Sequence, residues 1–210
     1  MSSSYAASLA AFAVAAALVV LLPGPDTLVV VRSILRGGRR QGILTALGDL
    51  CGLAIWVVAA ALGLAAMLRA SEVGYDVLRV VGACYLVWLG IQAWRSRGTV
   101  AEQPHGQPHG RGGILGTGFR AGILTNLLNP KVGVFFVAFL PGFIPRGAPV
   151  GPTSLLLGAV FVALTALYWV VLLGLAGAVI RWMSTPAVRR RIDAATALVF
   201  VGFGIRLATE

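Results

Sequence analysis

The sequence predicts an all-α integral membrane protein with six transmembrane helices, on three observations: its composition, the length of its uncharged runs and the placement of its arginines. Of 210 residues, 58% are hydrophobic and 11% are charged, whereas a soluble domain carries about 25% charged residues. The charge that a water-facing surface needs is missing. That excludes an ordinary soluble enzyme, a disordered chain and a nucleic-acid binder, and the mean hydropathy of +0.89 agrees. The net charge of +10, from 17 Lys+Arg against 7 Asp+Glu, would by itself suit a polyanion partner. Here the basic residues sit in short clusters between long apolar runs, which is how cytoplasmic membrane loops are marked.

Crossing about 30 Å of hydrocarbon takes roughly 20 helical residues at 1.5 Å each. Six stretches are candidate helices on that measure: 6–31, 43–68, 77–94, 121–144, 153–180 and 193–208. The first contains no Lys or Arg before Arg32, so it lacks the positive n-region of a cleavable signal peptide and is expected to be a retained span. The last, with Asp193 at its start and Arg206 near its end, is the shortest. Arg32, Arg36, Arg39 and Arg40 separate the first two spans. Arg95, Arg97, Arg111 and Arg120 separate the third and fourth, and Arg181, Arg189, Arg190 and Arg191 the last two. The other two loops hold only Arg69 and Arg146. Twelve arginines against two predict cytoplasmic basic loops and both termini outside.

The whole of 1–210 reads as one transmembrane domain with a flexible cytoplasmic linker at about 96–118. Within that linker Gln-Pro-His-Gly occurs twice in tandem, at Gln103–Gly106 and Gln107–Gly110. Such a composition cannot bury a core. The only histidines, His105 and His109, are separated by helix breakers, so they are expected to be solvated and not to hold a metal. Cys51 and Cys84 lie inside apolar runs and are expected to be small buried hydrophobes without a disulfide.

Two spans are interrupted in the same manner. The first contains Pro23-Gly24-Pro25-Asp26 and the fourth Asn126-Leu127-Leu128-Asn129-Pro130-Lys131. Proline removes a helical hydrogen bond and clashes with the preceding turn, and lipid tolerates that loss only beside protein or a water-lined cavity. Each interruption also reads as a new helix start, with Gly24 or Asn129 as N-cap and Pro25 or Pro130 at the first helical position. A helix start at membrane depth offers N–H groups and a positive dipole end, which suit a carboxylate. Paired interruptions in two halves point to a transporter binding site and to a 3+3 inverted repeat with broken helices 1 and 4. Structural kinks are the plainer alternative. A short echo, Arg40–Thr45 against Arg120–Thr125, adds weakly to the repeat.

Three ionisable residues lie deep inside spans, Asp26, Asp49 and Lys131, and each costs several kcal/mol unless paired or hydrated. Counted from Arg32, Arg40 and Arg120 at 1.5 Å per residue, their depths are about 9, 13 and 16 Å. They therefore lie at similar levels and have the reach to meet. Two acids and one base leave one carboxylate over, able to carry a proton or face a substrate ammonium, although buried charges also serve packing alone. Gly48 and Gly52 allow a close helix contact beside Asp49. Tyr168 and Trp169, at mid-span, read first as packing and second as cavity lining.

Four segments give the chain its resemblance to the LysE/RhtB-type amino-acid exporter family. They are Pro23-Gly24-Pro25-Asp26 with Gly37–Gly42; Ala46-Leu47-Gly48-Asp49; Gly82–Gly90; and Phe119–Gly122 through Asn126–Lys131 to Leu140-Pro141-Gly142-Phe143. The chain departs from the family at Asp26, where asparagine is common, and at Gly142, where glutamine is common. The resemblance covers nearly the whole chain. It implies a small inner-membrane exporter of amino acids or their derivatives, driven by proton exchange, with no cofactor and no enzymatic activity. On that reading the helix N-termini at Pro25 and Pro130, with Lys131, would hold the carboxylate, Asp26 or Asp49 would face the ammonium or carry the proton, and Gly24, Asn126 and Asn129 would join them in substrate binding or coupling. The partners implied are an amino-acid substrate, protons and the lipid bilayer, with a homo-oligomer left open and nucleic acid excluded. The competing readings are export of an inorganic or metal ion, which wants more clustered ligands, a non-transporting assembly subunit, and a thiol carrier using Cys51 and Cys84.

Overall fold

Among the described residues, proline and glycine mark the main bends, at Pro23-Gly24-Pro25, Gly38 and Pro130. The computed structural model describes residues 2–70 and 118–175 continuously, with separate helical positions between 77 and 95 and between 191 and 205. The linker with His105 and His109, the loop containing Trp182 and most of the basic loop around Arg189 lie outside the described residues. So does much of the third and sixth expected spans.

Helix α1 runs over Ser2–Leu21 and stops before Pro23-Gly24-Pro25. Helix α2 starts at Pro25 and continues to Ala70, interrupted only at Gly38 (φ 72°, ψ −176°). That left-handed φ is open to glycine at little cost, and the chain folds back on itself there. Val30 and Ala46 share one buried cluster with Trp169 and Leu172, although a straight helix would set them about 24 Å apart. A Cβ on Gly42 would lie 2.4 Å from the Ile34 side chain. Thus α2 is two arms joined by a glycine turn, with Arg36, Arg39 and Arg40 exposed around it. The basic loop expected between the first two spans is therefore helical up to a single residue, in keeping with the helix propensity of arginine.

Helix α3 (Phe119–Leu127) ends at the second interruption, and α4 (Pro130–Val134) follows. It continues as a π-helical turn over Phe135–Phe139 and a 3₁₀ turn over Leu140–Phe143. The rod Pro130–Phe143 is bent by 50° from Phe119–Leu127. Helix α5 spans Val150–Gly174. Every regular element among the described residues is helical. Pro25–Gly63 and Val150–Gly174 are long and apolar enough to cross a membrane, and the bent pair makes a third candidate span.

Small residues bring α3 against the second arm of α2. A Cβ on Gly122 would lie 1.9 Å from the Thr45 carbonyl oxygen, and one on Gly48 would lie 2.0 Å from that of Phe119. Phe12, Phe135, Phe136, Phe143 and Phe161 fill the core between α1, the π turn and α5, with Phe135 and Phe161 ring centroids 4.8 Å apart. Facing outward are Val14, Leu18 and Leu21 on α1, Ile55, Val58 and Leu62 on α2, and Leu167, Val170 and Val171 on α5. Their helical spacing gives each rod an apolar outer face suited to hydrocarbon. Cys51 and Cys84 belong to this outer surface. Their expected burial is thus corrected, because in a membrane protein an apolar position need not be an interior one.

Candidate functional site

The two proline interruptions lie side by side. Leu22, in the first, offers its carbonyl oxygen to the Lys131 ammonium at 2.7 Å. The lysine passes over Gly24, where a Cβ would lie 3.8 Å from both its Cδ and its Nζ. A cation here also complements the negative C-terminal end of α1. Asn129 ties the second interruption to the first. Its Nδ2 donates to the Asp26 carboxylate, and its Oδ1 accepts the Lys131 backbone N–H at 3.0 Å. The backbone N–H groups of Val132 and Gly133 bond the Asn129 carbonyl. The start of α4 is therefore already capped, and a carboxylate seeking those N–H groups has to displace Asn129.

Asp49 reaches the same place from the second arm of α2. Only 1% exposed, it accepts from Asn126 Nδ2 and from Trp169 Nε1, both at 2.8 Å. The donors come from α3 and α5, so one carboxylate joins three helices. Asp26, Asp49 and Lys131 face one shared cavity. Thr27 and Tyr168 hydroxyls close the arrangement at 3.0 Å. Asp26 Oδ1 is buried and receives no hydrogen bond.

These groups surround a cavity of about 30 Å³, room for about one water molecule. Of the residues singled out by sequence, Gly24, Asp26, Asp49, Asn126 and Lys131 line it. Asn129 is 2% exposed and borders it through Asp26. Pro25 and Pro130 are exposed and act by setting where α2 and α4 begin. Sequence reasoning missed Thr27, and it ranked packing above cavity lining for Tyr168 and Trp169, both of which line the cavity and hydrogen-bond within it. Their signal was polar aromatic groups at mid-span, away from the interface where such residues usually gather.

Known proteins are similar over nearly the full length. A homoserine/homoserine lactone efflux protein of Salmonella typhimurium is 29% identical over 95% of this chain and 95% of its own. A leucine efflux protein of an Enterobacter species is 32% identical over 94% of this chain and 93% of its own. The membrane protein YrhP of Bacillus subtilis is 28% identical over 95% and 97%. No solved structure matches. The family model of the LysE type translocator matches residues 17–210, and the chain belongs to that family of membrane translocators, which are transporters and not enzymes.

Proposed function

We propose that this protein exports amino acids across the cytoplasmic membrane in exchange for protons. The observation that carries the reading is the meeting of both helix interruptions with Asp26, Asp49 and Lys131 around one cavity. Two carboxyl groups and one ammonium leave one positive charge to be supplied, and in hydrocarbon an uncompensated charge is expensive. A proton on one carboxyl supplies it; a zwitterionic amino acid brings no net charge, but its ammonium pairs with the same carboxylate once that proton has left. Their competition for that place couples outward substrate movement to inward proton movement. Lys131, with Asn129 withdrawn from the start of α4, receives the substrate carboxylate. The efflux relatives support the amino-acid class.

The cavity is too small for an amino acid, so binding requires the Lys131–Leu22 and Asn129–Asp26 hydrogen bonds to open. Six spans in a 3+3 inverted repeat, with both termini outside, complete the reading. Gly24-Pro25-Asp26 and Asn129-Pro130-Lys131 would occupy equivalent positions in its halves.

Efflux of labelled amino acids from loaded proteoliposomes tests the function. Efflux is expected to accelerate when the external buffer is made more acidic than the lumen, and to lose that acceleration with a protonophore. Absence of any protein-dependent amino-acid flux would overturn the export reading. Flux indifferent to the pH gradient would overturn the coupling.

A further inference from the structure

The interruption in the fourth span has a second face. Beyond Asn129 lies an apolar chamber of about 390 Å³, open on one side, where the lining residues Leu128 and Val81 are exposed. Its volume is within the range of small-molecule sites and more than twice the roughly 150 Å³ of an apolar cavity that admits benzene. Its walls include Leu127, Leu128 and Pro130 from the interruption, Val137 and Ala138 from the π turn, and Trp56 from α2. Trp56 lies against Gly133, where a Cβ would come within 3.1 Å of the indole. Any side chain at that position would displace the ring. A π turn is a rare element that recurs at functional sites.

The polar groups around the chamber are almost all committed. The Trp56 N–H points to the Asn126 carbonyl at 3.4 Å. Asn129 uses one end of its amide on Asp26 and the other on the Lys131 N–H. Tyr85, the other polar side chain on the wall, carries a hydroxyl. Asn129 thus separates an apolar chamber from a charged cluster and bonds the latter directly. A ligand seated at this interruption has one apolar end and one charged end.

We propose that the chamber receives the side chain of the transported amino acid, selecting branched aliphatic and aromatic side chains over short hydroxylated ones; the proposal rests on the amino-acid export reading. A hydroxyl carried into this chamber gives up its water for few partners.

Counterflow of labelled leucine in proteoliposomes, competed with phenylalanine, valine, homoserine and threonine, is the test. The apolar competitors are expected to act at concentrations about 10- to 100-fold lower than the hydroxylated ones, the range a hydrophobic site achieves against a hydroxyl. Val137→Trp, which projects an indole ring from the wall and narrows the chamber, should raise the half-saturating leucine concentration at least ~10-fold while leaving alanine counterflow near wild type. Tyr85→Phe should keep the preference. If Val137→Trp does not reach the membrane, Val137→Phe, a smaller addition to the same wall, carries an expectation of the same direction. Equal competition by homoserine and leucine would overturn the proposal. So would an unchanged leucine dependence in the narrowed variant, or leucine and alanine fluxes falling together as they would if the chamber held a lipid tail. Absence of counterflow for every amino acid in the wild-type protein would instead remove the export reading itself.

Discussion

Asp49 takes hydrogen bonds from Asn126 and Trp169, and those two donors fix both of its carboxylate oxygens. Asp49→Asn keeps the volume but replaces one acceptor with an N–H that faces another donor. Bonds to a charged acceptor contribute about 1.5–3 kcal/mol each, so transport by Asp49→Asn is expected to fall about 10- to 100-fold. Trp169→Phe removes only one donor and should cost less. Initial efflux rates measured on both variants at equal membrane abundance check this, and wild-type flux in Asp49→Asn would take the residue out of the mechanism. The sequence allowed Asp49 to be placed by depth, because a count along the helix needs only the rise per residue. It did not identify Trp169 as a partner. Which side of α5 faces Asp49 depends on how α5 is rotated about its own axis, and a helix apolar on nearly all sides gives little indication of that.

The same distinction holds for helices and their junctions. Both interruptions were legible because proline acts locally, on its own hydrogen bond and the turn before it. The turn at Gly38 was less so, since Gly37, Gly38 and Gly42 all lie in one basic stretch and only the fold decides which of them takes φ 72°. The contact of α3 with α2 was half legible. Gly48 and Gly52 announced a close approach, but Gly122, which meets the Thr45 carbonyl, identifies the partner. Gly122→Val would drive a side chain into that carbonyl and force the helices apart. Overpacking of this kind costs about 1–3 kcal/mol, and Asn126 would be carried away from Asp49 with the moving helix. A lower thermal midpoint in detergent together with loss of transport is expected. Unchanged values of both would mean that the two helices do not pack through these glycines.

Across the whole molecule the described loops divide between two ends. Tyr5 bonds Thr153 through their hydroxyls at 2.9 Å, and Ser8 donates to the Phe143 carbonyl. The start of α1, the end of the Leu140–Phe143 turn and the start of α5 therefore share one end, together with Arg146. At the other end, a Cβ on Gly118 would lie 2.7 Å from Gln41 Oε1. That sets the Gly38 turn, with Arg36, Arg39 and Arg40, beside the start of α3 and Arg120. Basic residues gather at the second end, which cytoplasmic exposure favours. In a background with Cys51 and Cys84 replaced by serine, Arg39→Cys and Arg146→Cys report the two ends separately. Both native arginines are exposed, so both thiols should be reachable from their own side. A membrane-impermeant maleimide added to intact cells is expected to label Arg146→Cys, and to label Arg39→Cys only after permeabilisation. The reverse pattern would place the basic end outside. Export would then run toward the basic end and away from Arg146, and on the proposed exchange the proton would enter from the opposite side to the one the charge distribution favours.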